Sequence, residues 1–170
     1  MHVNNAHTQN IEYFDTLLRN HRGLSCTVRI PHLRRRKSIQ SPEGYDVIAP
    51  KILFVGDDAL VRHALRVTLT SAGCVVVEAS TGEEALDKVQ AGGAVDMIVL
   101  DLDLSGIGGL EACRRIREVV DIPIMVISIR HDRQDKVQAS DAGADDYLMK
   151  PFEIHDLLSR IHALQQKRSL

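Results

Sequence analysis

Polar side chains follow several apolar runs of the sequence, each at the point where the run ends. Asp57 comes shortly after the first run and Asp101 directly after the third. Ser128 closes the fourth run, and Lys150 follows the fifth. Carboxylates suit Mg²⁺, whereas an ammonium group and a hydroxyl suit phosphoryl oxygens. Because a carboxylate oxygen can itself be the nucleophile in phosphoryl transfer, these residue types together predict a site for metal-assisted phosphoryl chemistry.

The spacing of apolar residues predicts five strand–helix units that would position these side chains. Continuous apolar runs are typical of strands buried on both faces, and a period of 3.6 residues is typical of amphipathic helices. The predicted strands are 52–55, 74–77, 95–100, 123–128 and 146–149. The predicted helices are 58–72, one that begins after Ser80 or Thr81 as N-cap, 109–119, 133–142 and 153–166. Regular alternation of this kind predicts a doubly wound parallel α/β sheet.

The carboxyl ends of parallel strands meet at one edge of such a sheet, where ligands bind. Each polar residue also has an ordinary explanation when it is taken alone. An acid after a strand is often the N-cap of the next helix, as we expect for Asp58, and Lys150–Pro151 could be a simple turn. Their joint occurrence at four strand ends favours a site descended from phosphoryl chemistry.

Three segments of the sequence resemble the receiver domain of two-component response regulators. They are VLDLDLSGIGGLE (residues 99–111), VISIR (126–130) and AGADDYLMKPF (142–152). The nearest resemblance is to the OmpR/PhoB class and, within it, to KdpE-like regulators. It covers residues 50–167, which leaves 1–49 as a poorly defined extension and 168–170 as a tail. The resemblance implies a flavodoxin-like fold, with five parallel strands in the order 2-1-3-4-5 flanked by five helices.

The resemblance also implies the roles of particular acids. Asp101 would accept a phosphoryl group from a sensor histidine kinase. Mg²⁺ would be bound by Asp57, Asp101 and the backbone carbonyl of Asp103, with Asp58 as a further candidate. Such a regulator is not an enzyme in the usual sense, because its chemistry is limited to its own phosphorylation and dephosphorylation.

The remaining site residues would respond to the phosphoryl group. Ser128 would bond to it, and Lys150 would pair first with the phosphoacceptor and then with the phosphoryl group. Tyr147 would be a switch aromatic, against the ordinary reading of a half-buried strand residue. The Lys150–Pro151 peptide bond would be cis, which folded proteins tolerate before proline.

In the OmpR/PhoB class, the fourth helix, fifth strand and fifth helix form a surface that dimerises through ion pairs. The resemblance therefore implies a homodimer in this chain, although a simple solvated surface remains the alternative. The charged residues of the implied dimer surface are Lys136, Asp145, Asp146, Asp156 and Arg160.

Four positions depart from the family pattern. Gly56 stands where the first of two acids is usual, which predicts weaker Mg²⁺ binding. Ile129 stands where a small residue is usual, and we expect its branched side chain to crowd the phosphoacceptor. Ser105 and Gly108 replace a proline and a common aspartate, which loosens the loop between them. These departures predict a slow but competent receiver, with a pseudo-receiver that binds a partner without phosphorylation as the alternative.

Composition limits the other functions. Of the 170 residues, 44% are hydrophobic, enough for a packed core, but no run is long enough to span a membrane and no secretion signal is visible. We therefore expect a cytoplasmic protein. The three cysteines form no CxxC pair, which disfavours a metal or redox site. Residues 1–50 hold seven Lys/Arg against four Asp/Glu, whereas the remainder holds fourteen against nineteen, so a basic head precedes an acidic body.

The extension and the end of the sequence raise further alternatives. The run Arg34–Lys37 could touch nucleic acid, but no recognition-helix pattern follows it, so an exposed linker through Gly44 is preferred. The sequence ends at Leu170 without a winged-helix domain, which predicts either a single-domain regulator or a fragment of a longer one. A transcription factor acting alone and an unrelated hydrolase are the weaker alternatives. Residues 1–46 could also reflect an over-extended start. The sequence does not indicate the downstream target.

Overall fold

The structure, a computed structural model, describes residues 38–40 and 46–168. These residues form seven strands and five helices. The strands are β1 Ser38–Gln40, β2 Asp46–Ile48, β3 Lys51–Val55, β4 Val75–Ala79, β5 Met97–Asp101, β6 Ile124–Ser128 and β7 Asp146–Met149. The helices are α1 Ala59–Ser71, α2 Gly82–Gln90, α3 Gly109–Val119, α4 Arg133–Asp141 and α5 Ile154–Arg168.

Strands β3 to β7 form one parallel sheet in the spatial order β4-β3-β5-β6-β7. Counted along the chain, this is the predicted order 2-1-3-4-5, so the predicted fold is confirmed. Helices α1 and α5 pack on one face of the sheet, and α2, α3 and α4 pack on the other. All residues of β5 and β6 are buried, because helices cover both faces of these inner strands. Their carboxyl ends therefore lie at the centre of the sheet edge.

Helix boundaries follow local capping chemistry. The Asp58 side chain accepts hydrogen bonds from the backbone N–H groups of Leu60 (2.8 Å) and Val61 (3.1 Å), which confirms it as the N-cap of α1. Thr81 caps α2 by accepting from the N–H of Glu84 at 3.1 Å. Gly73 follows α1 with a φ of +86°, a conformation that glycine adopts without a steric cost.

Two predicted segments differ from the structure. The third sheet strand starts at Met97 rather than Val95, because the Asp96 carboxylate accepts a 2.7 Å hydrogen bond from the N–H of Lys51 at the start of β3. Ser38–Gln40 was predicted as linker, but it forms strand β1 and pairs antiparallel with β2. The predictions for residues 1–37 lie outside the described residues.

Arg117 connects α3 to the loops that precede β6 and β7 at the amino-end edge of the sheet. Its guanidinium donates to the carbonyls of Gly143 (2.8 and 3.0 Å) and Ile122 (3.0 Å), and to Asp145 Oδ2 at 2.6 Å. The same Asp145 oxygen accepts from the N–H of Ile124 at 2.8 Å. A Cβ at position 143 would lie 2.7 Å from Arg117 Cγ, so only glycine leaves room for this arrangement. Asp145 thus has an intramolecular role at the start of β6.

Within the described part of the chain, none of the helices combines the length and the apolar character needed to cross a membrane.

Candidate functional site

The parallel sheet brings the predicted polar residues to one edge. Asp101 is the last residue of β5, Ser128 is the last residue of β6, and Lys150 directly follows β7. Asp57 lies two residues beyond the end of β3. Because Asp101 is in register with Ile127 of β6, and Ser128 with Met149 of β7, the carboxyl ends of these strands are level.

Asp101 is the buried centre of this edge, with 5% of its surface exposed. Its Oδ2 lies 2.5 Å from the ammonium nitrogen of Lys150, and its Oδ1 accepts from the N–H of Asp103 at 3.0 Å. Burial raises the pKa of the Asp101 carboxyl above its ordinary value, and the charge of Lys150 offsets part of that rise. The charge of Lys150 thus opposes the preference for the neutral acid that burial imposes on Asp101.

The loop after β3 is connected to the loop after β5. Asp57 is exposed, and its Oδ2 accepts a 3.2 Å hydrogen bond from the N–H of Ser105. Arg62, one turn into α1, donates to the carbonyls of Gly56 (2.7 Å) and Asp57 (2.9 Å). These bonds hold the Asp57 loop beside the Asp101 loop.

The other side of the edge is formed by the loop between β6 and α4. Ser128 is fully buried, and its Oγ accepts from the N–H of Arg130 at 3.1 Å. Tyr147 is half-buried in β7, and its hydroxyl donates to the carbonyl of Arg130 at 2.9 Å. Burial raises the pKa of the Tyr147 phenol. The predicted cis peptide bond between Lys150 and Pro151 is confirmed.

This geometry agrees with the result of a comparison with known families. Residues 52–162 match the family described as response regulator receiver domain. The chain belongs to the response regulator receiver family.

Known relatives of this receiver are bacterial response regulators. It is 43% identical over 120 residues to response regulator MprA of Mycobacterium sp. (strain KMS), covering 70% of this chain and 52% of MprA. It is 41% identical over 118 residues to response regulator ArlR of Staphylococcus aureus (strain Mu50), covering 69% of this chain and 53% of ArlR. The chain thus spans about half the length of the curated relatives it matches. The predicted membership of the response regulator receiver family, a family of signalling proteins, is confirmed.

Solved structures show the same fold. A two-component response regulator from Clostridium difficile superposes with a TM-score of 0.68 at 29% identity, covering 71% of this chain and 99% of that structure. The BeF₃-activated N-terminal receiver domain of Klebsiella pneumoniae RstA gives a TM-score of 0.64 at 28% identity, covering 68% of this chain and 98% of that structure.

The acids of the receiver are of the chemical type that binds Mg²⁺, but in the described part of the chain only two carboxylates are in place to bind it. Asp57 and Asp101 supply hard carboxylate oxygens, and Asp103 could add its carbonyl. A Cβ built on Gly56 would lie 3.8 Å from Asp101 Cβ, so a side chain at this position would join the site and glycine leaves it without one. Among the described residues, no group of three or more His, Cys, Asp or Glu side chains is arranged to hold a metal ion. Asp58 already uses one oxygen as the N-cap of α1.

Gly109 is a site residue that the sequence analysis missed. A Cβ on it would lie 2.4 Å from Leu102 Cα and 2.7 Å from the carbonyl oxygen of Asp101. Helix α3 therefore begins in direct contact with the backbone of the loop that follows Asp101, which only glycine permits. The signal in the sequence was the Gly108–Gly109 pair at the start of a predicted helix, of which only Gly108 was considered.

The side chains of Asp103 and Ile129 also differ from the sequence reasoning. Only the backbone carbonyl of Asp103 was considered, yet its carboxylate accepts a 3.2 Å hydrogen bond from the N–H of Ile129. The Ile129 side chain, expected to crowd Asp101, is 53% exposed at the surface of this edge.

Four of the five residues of the implied dimer surface line one groove, namely Asp145, Asp146, Asp156 and Arg160, and Lys136 is not among its lining residues. Lys136 lies over the ring of Tyr147, 5.9 Å from its centre. Arg160 of α5 pairs with Asp146 of β7 at 2.8 Å, and Asp156 is exposed on α5. Asp145 also pairs with Arg117 at the amino-end edge of the sheet.

Replacing Lys150 with Met should destabilise the receiver more at pH 8 than at pH 5. Without the ammonium group, the pKa of Asp101 rises further above its unfolded value near 3.8. The folded state then binds a proton more tightly than the unfolded state, so stability falls as pH rises through the folded pKa. An unpaired buried carboxylate at pH 8 should cost about 3 kcal/mol in the free energy of unfolding.

Urea denaturation followed by circular dichroism at the two pH values measures this effect. Lys88→Met is the matched control, because Lys88 binds Glu84 and the Glu78 carbonyl with a side chain that is 37% exposed, and its replacement should cost less than about 1 kcal/mol. The pKa of Glu84 is lowered to about 2, mainly by Lys88, so the control should show little difference between pH 5 and 8. A Lys150→Met loss that is the same at both pH values would contradict this account of Asp101.

Proposed function

We propose that this receiver accepts a phosphoryl group on Asp101 from a sensor histidine kinase, in a reaction that depends on Mg²⁺. The observation that carries the proposal is the Asp101–Lys150 contact of 2.5 Å at the carboxyl edge of the sheet, with Asp101 5% exposed. A buried carboxyl group paired with a cation that is able to bind the transferred group suits phosphoryl acceptance.

The proposed transfer forms one bond and breaks one. A carboxylate oxygen of Asp101 attacks phosphorus and forms a P–O bond, while the P–N bond to the kinase histidine breaks. The imidazole nitrogen keeps the electron pair of that bond and takes a proton from water. Mg²⁺, when bound by Asp57, Asp101 and the Asp103 carbonyl, would neutralise charge on the phosphoryl oxygens. Lys150 would then pair with the new group, while Ser128 and Tyr147 would adjust their positions.

We further propose that the receiver belongs to the OmpR/PhoB class and is KdpE-like, with a cytoplasmic location. Phosphorylation adds about two negative charges at the sheet edge, which would shift the surface formed by α4, β7 and α5. This surface exposes apolar Val137 (50%) and Met149 (38%) beside the ion pair of Asp146 and Arg160. Exposed apolar residues next to reversible ion pairs suit a homodimer that forms on activation.

A pseudo-receiver that binds a partner without phosphorylation is the second candidate. The missing acid at position 56 favours it, since hard-cation affinity tracks the number of ligand charges. The paired and buried Asp101 opposes it. The two candidates differ in one measurable respect, which is whether a phosphoryl group is acquired.

Incubation of the protein with phosphoramidate and Mg²⁺ should add one phosphoryl group, seen by intact mass spectrometry. Asp101→Asn should gain none, because its amide is not a nucleophile. A known receiver under the same conditions serves as the positive control. An unmodified wild type beside a modified control receiver would favour the pseudo-receiver.

Gly56→Asp should lower the Mg²⁺ concentration that gives half the maximal phosphorylation rate by about tenfold, through one added carboxylate. The new Cβ would lie 3.2 Å from the Phe54 ring, which must shift by a few tenths of an ångström. Gly56→Asn has the same size and no charge, so it is the matched control. Equal Mg²⁺ dependence of the two variants would reject the electrostatic explanation of this departure.

Arg160→Glu should weaken activated dimers at least about tenfold, because in the proposed dimer Arg160, which pairs with Asp146 of its own chain here, would pair with an acid of the second copy. Sedimentation of the protein with beryllofluoride and Mg²⁺ measures dimerisation. Arg115→Glu on α3, where Arg115 is 49% exposed, is the charge-matched control and should leave dimers intact. A wild type that stays monomeric when it is fully loaded would reject the proposed homodimer.

A further inference from the structure

The carboxylate of Asp103 has no role in the phosphoryl transfer proposed above, yet three donors converge on it. The N–H of Ile129 donates to its Oδ2 at 3.2 Å. The Lys150 ammonium lies 3.8 Å from the same oxygen, and Arg130 Nε lies 3.7 Å from Oδ1. The Asp103 side chain is only 26% exposed. Its negative charge is therefore held by a backbone N–H group and two cations.

These donors are of the kind that a phosphoryl group requires. Backbone N–H groups, lysine and arginine are the usual partners of phosphoryl oxygens in proteins. Lys150 contacts Asp101 at 2.5 Å and Asp103 at 3.8 Å, so one ammonium group already serves both acids. The N–H of Asp103 also binds Asp101 Oδ1 at 3.0 Å, which keeps the two residues adjacent. A phosphoryl group on Asp101 would thus need donors that Asp103 now occupies.

The Asp103 contacts also hold the loop that leads into α4. Arg130 Nη1 lies 3.8 Å from Asp135 in the first turn of α4, while its Nε faces Asp103. The backbone of Arg130 is bonded to Ser128 Oγ through its N–H and to the Tyr147 hydroxyl through its carbonyl. Asp103 is therefore connected to both predicted switch residues through one neighbour.

We propose that the Asp103 carboxylate is a positioning residue that acts as an internal competitor of the phosphoryl group, occupying its donors and holding the β6–α4 loop in the resting position. The proposal rests on phosphoryl acceptance at Asp101. When the phosphoryl group arrives, its roughly two negative charges repel the carboxylate and take over Lys150 and the N–H of Ile129. The loop is then released from Asp103, and Arg130 is free to move with it.

Asp103→Asn tests the proposal, because it keeps the shape of the side chain and removes its charge. The phosphoramidate concentration giving half the maximal rate should fall on the order of fivefold, a size ordinary for coupling between two sites. Asp103→Glu restores the charge and should return the value toward wild type. Asp121→Asn, the same charge change at a fully exposed side chain, should leave the value unchanged. If Asp103 had only a structural role, the half-maximal phosphoramidate concentration would not fall in Asp103→Asn and return toward wild type in Asp103→Glu.

Two outcomes separate failure of this inference from failure of the proposed function. If wild type is phosphorylated and Asp103→Asn needs the same or more donor, the competitor role is overturned while phosphoryl acceptance stands. If neither protein is phosphorylated, the proposed function fails, and the nuclear magnetic resonance signal of the Ile129 amide then decides. Inorganic phosphate without metal should shift that signal at a lower concentration in Asp103→Asn than in wild type. An equal response in both proteins would reject the competitor.

Discussion

The ion pair between Asp101 and Lys150 is the constraint on which the site depends. A carboxylate that is 5% exposed loses most of its hydration, and its raised pKa reflects that loss. The ammonium group at 2.5 Å compensates within the protein. Because the two residues belong to β5 and to the loop after β7, the pair spans the carboxyl end of β6, which lies between them in register. The ion pair of the site therefore depends on the strand order of the sheet.

Glycine at two positions makes this arrangement sterically feasible. Gly109 lets α3 begin against the backbone of the loop after Asp101, where a Cβ would lie 2.4 Å from Leu102 Cα. Gly143 does the same at the opposite edge, where Arg117 wraps around the loop before β7. At Gly109 backbone packs against backbone, and at Gly143 backbone packs against the Arg117 side chain. Each contact limits how far its loop can move without disturbing the sheet. The loop between β6 and α4 has neither constraint and is held by polar contacts.

The sequence predicted the sheet and its strand-end acids because both depend on local patterns. Apolar runs, the Asp58 and Thr81 caps and Gly73 are readable along the chain, and all appear in the structure. Contacts between distant residues were not readable. Asp145 looked like a surface charge because its partner Arg117 lies 28 residues earlier. The side chain of Asp103 was missed for the same reason, since Ile129 lies 26 residues later.

The charge around Asp101 is distributed unequally between its two sides. Strand β5 lies between β3 and β6, so Asp101 has one side facing the Asp57 loop and one side facing the β6–α4 loop. On the β3 side an acid is missing at Gly56, which removes charge from the place where a cation would bind. On the β6 side Asp103 adds a carboxylate that binds Ile129 and faces Arg130. Under the proposed function, the glycine at position 56 and the carboxylate of Asp103 have effects in the same direction. If Asp101 accepts a phosphoryl group as proposed, Gly56 weakens the attraction for an assisting Mg²⁺ and Asp103 stabilises the loop that must move, so the resting state is favoured from both sides of Asp101.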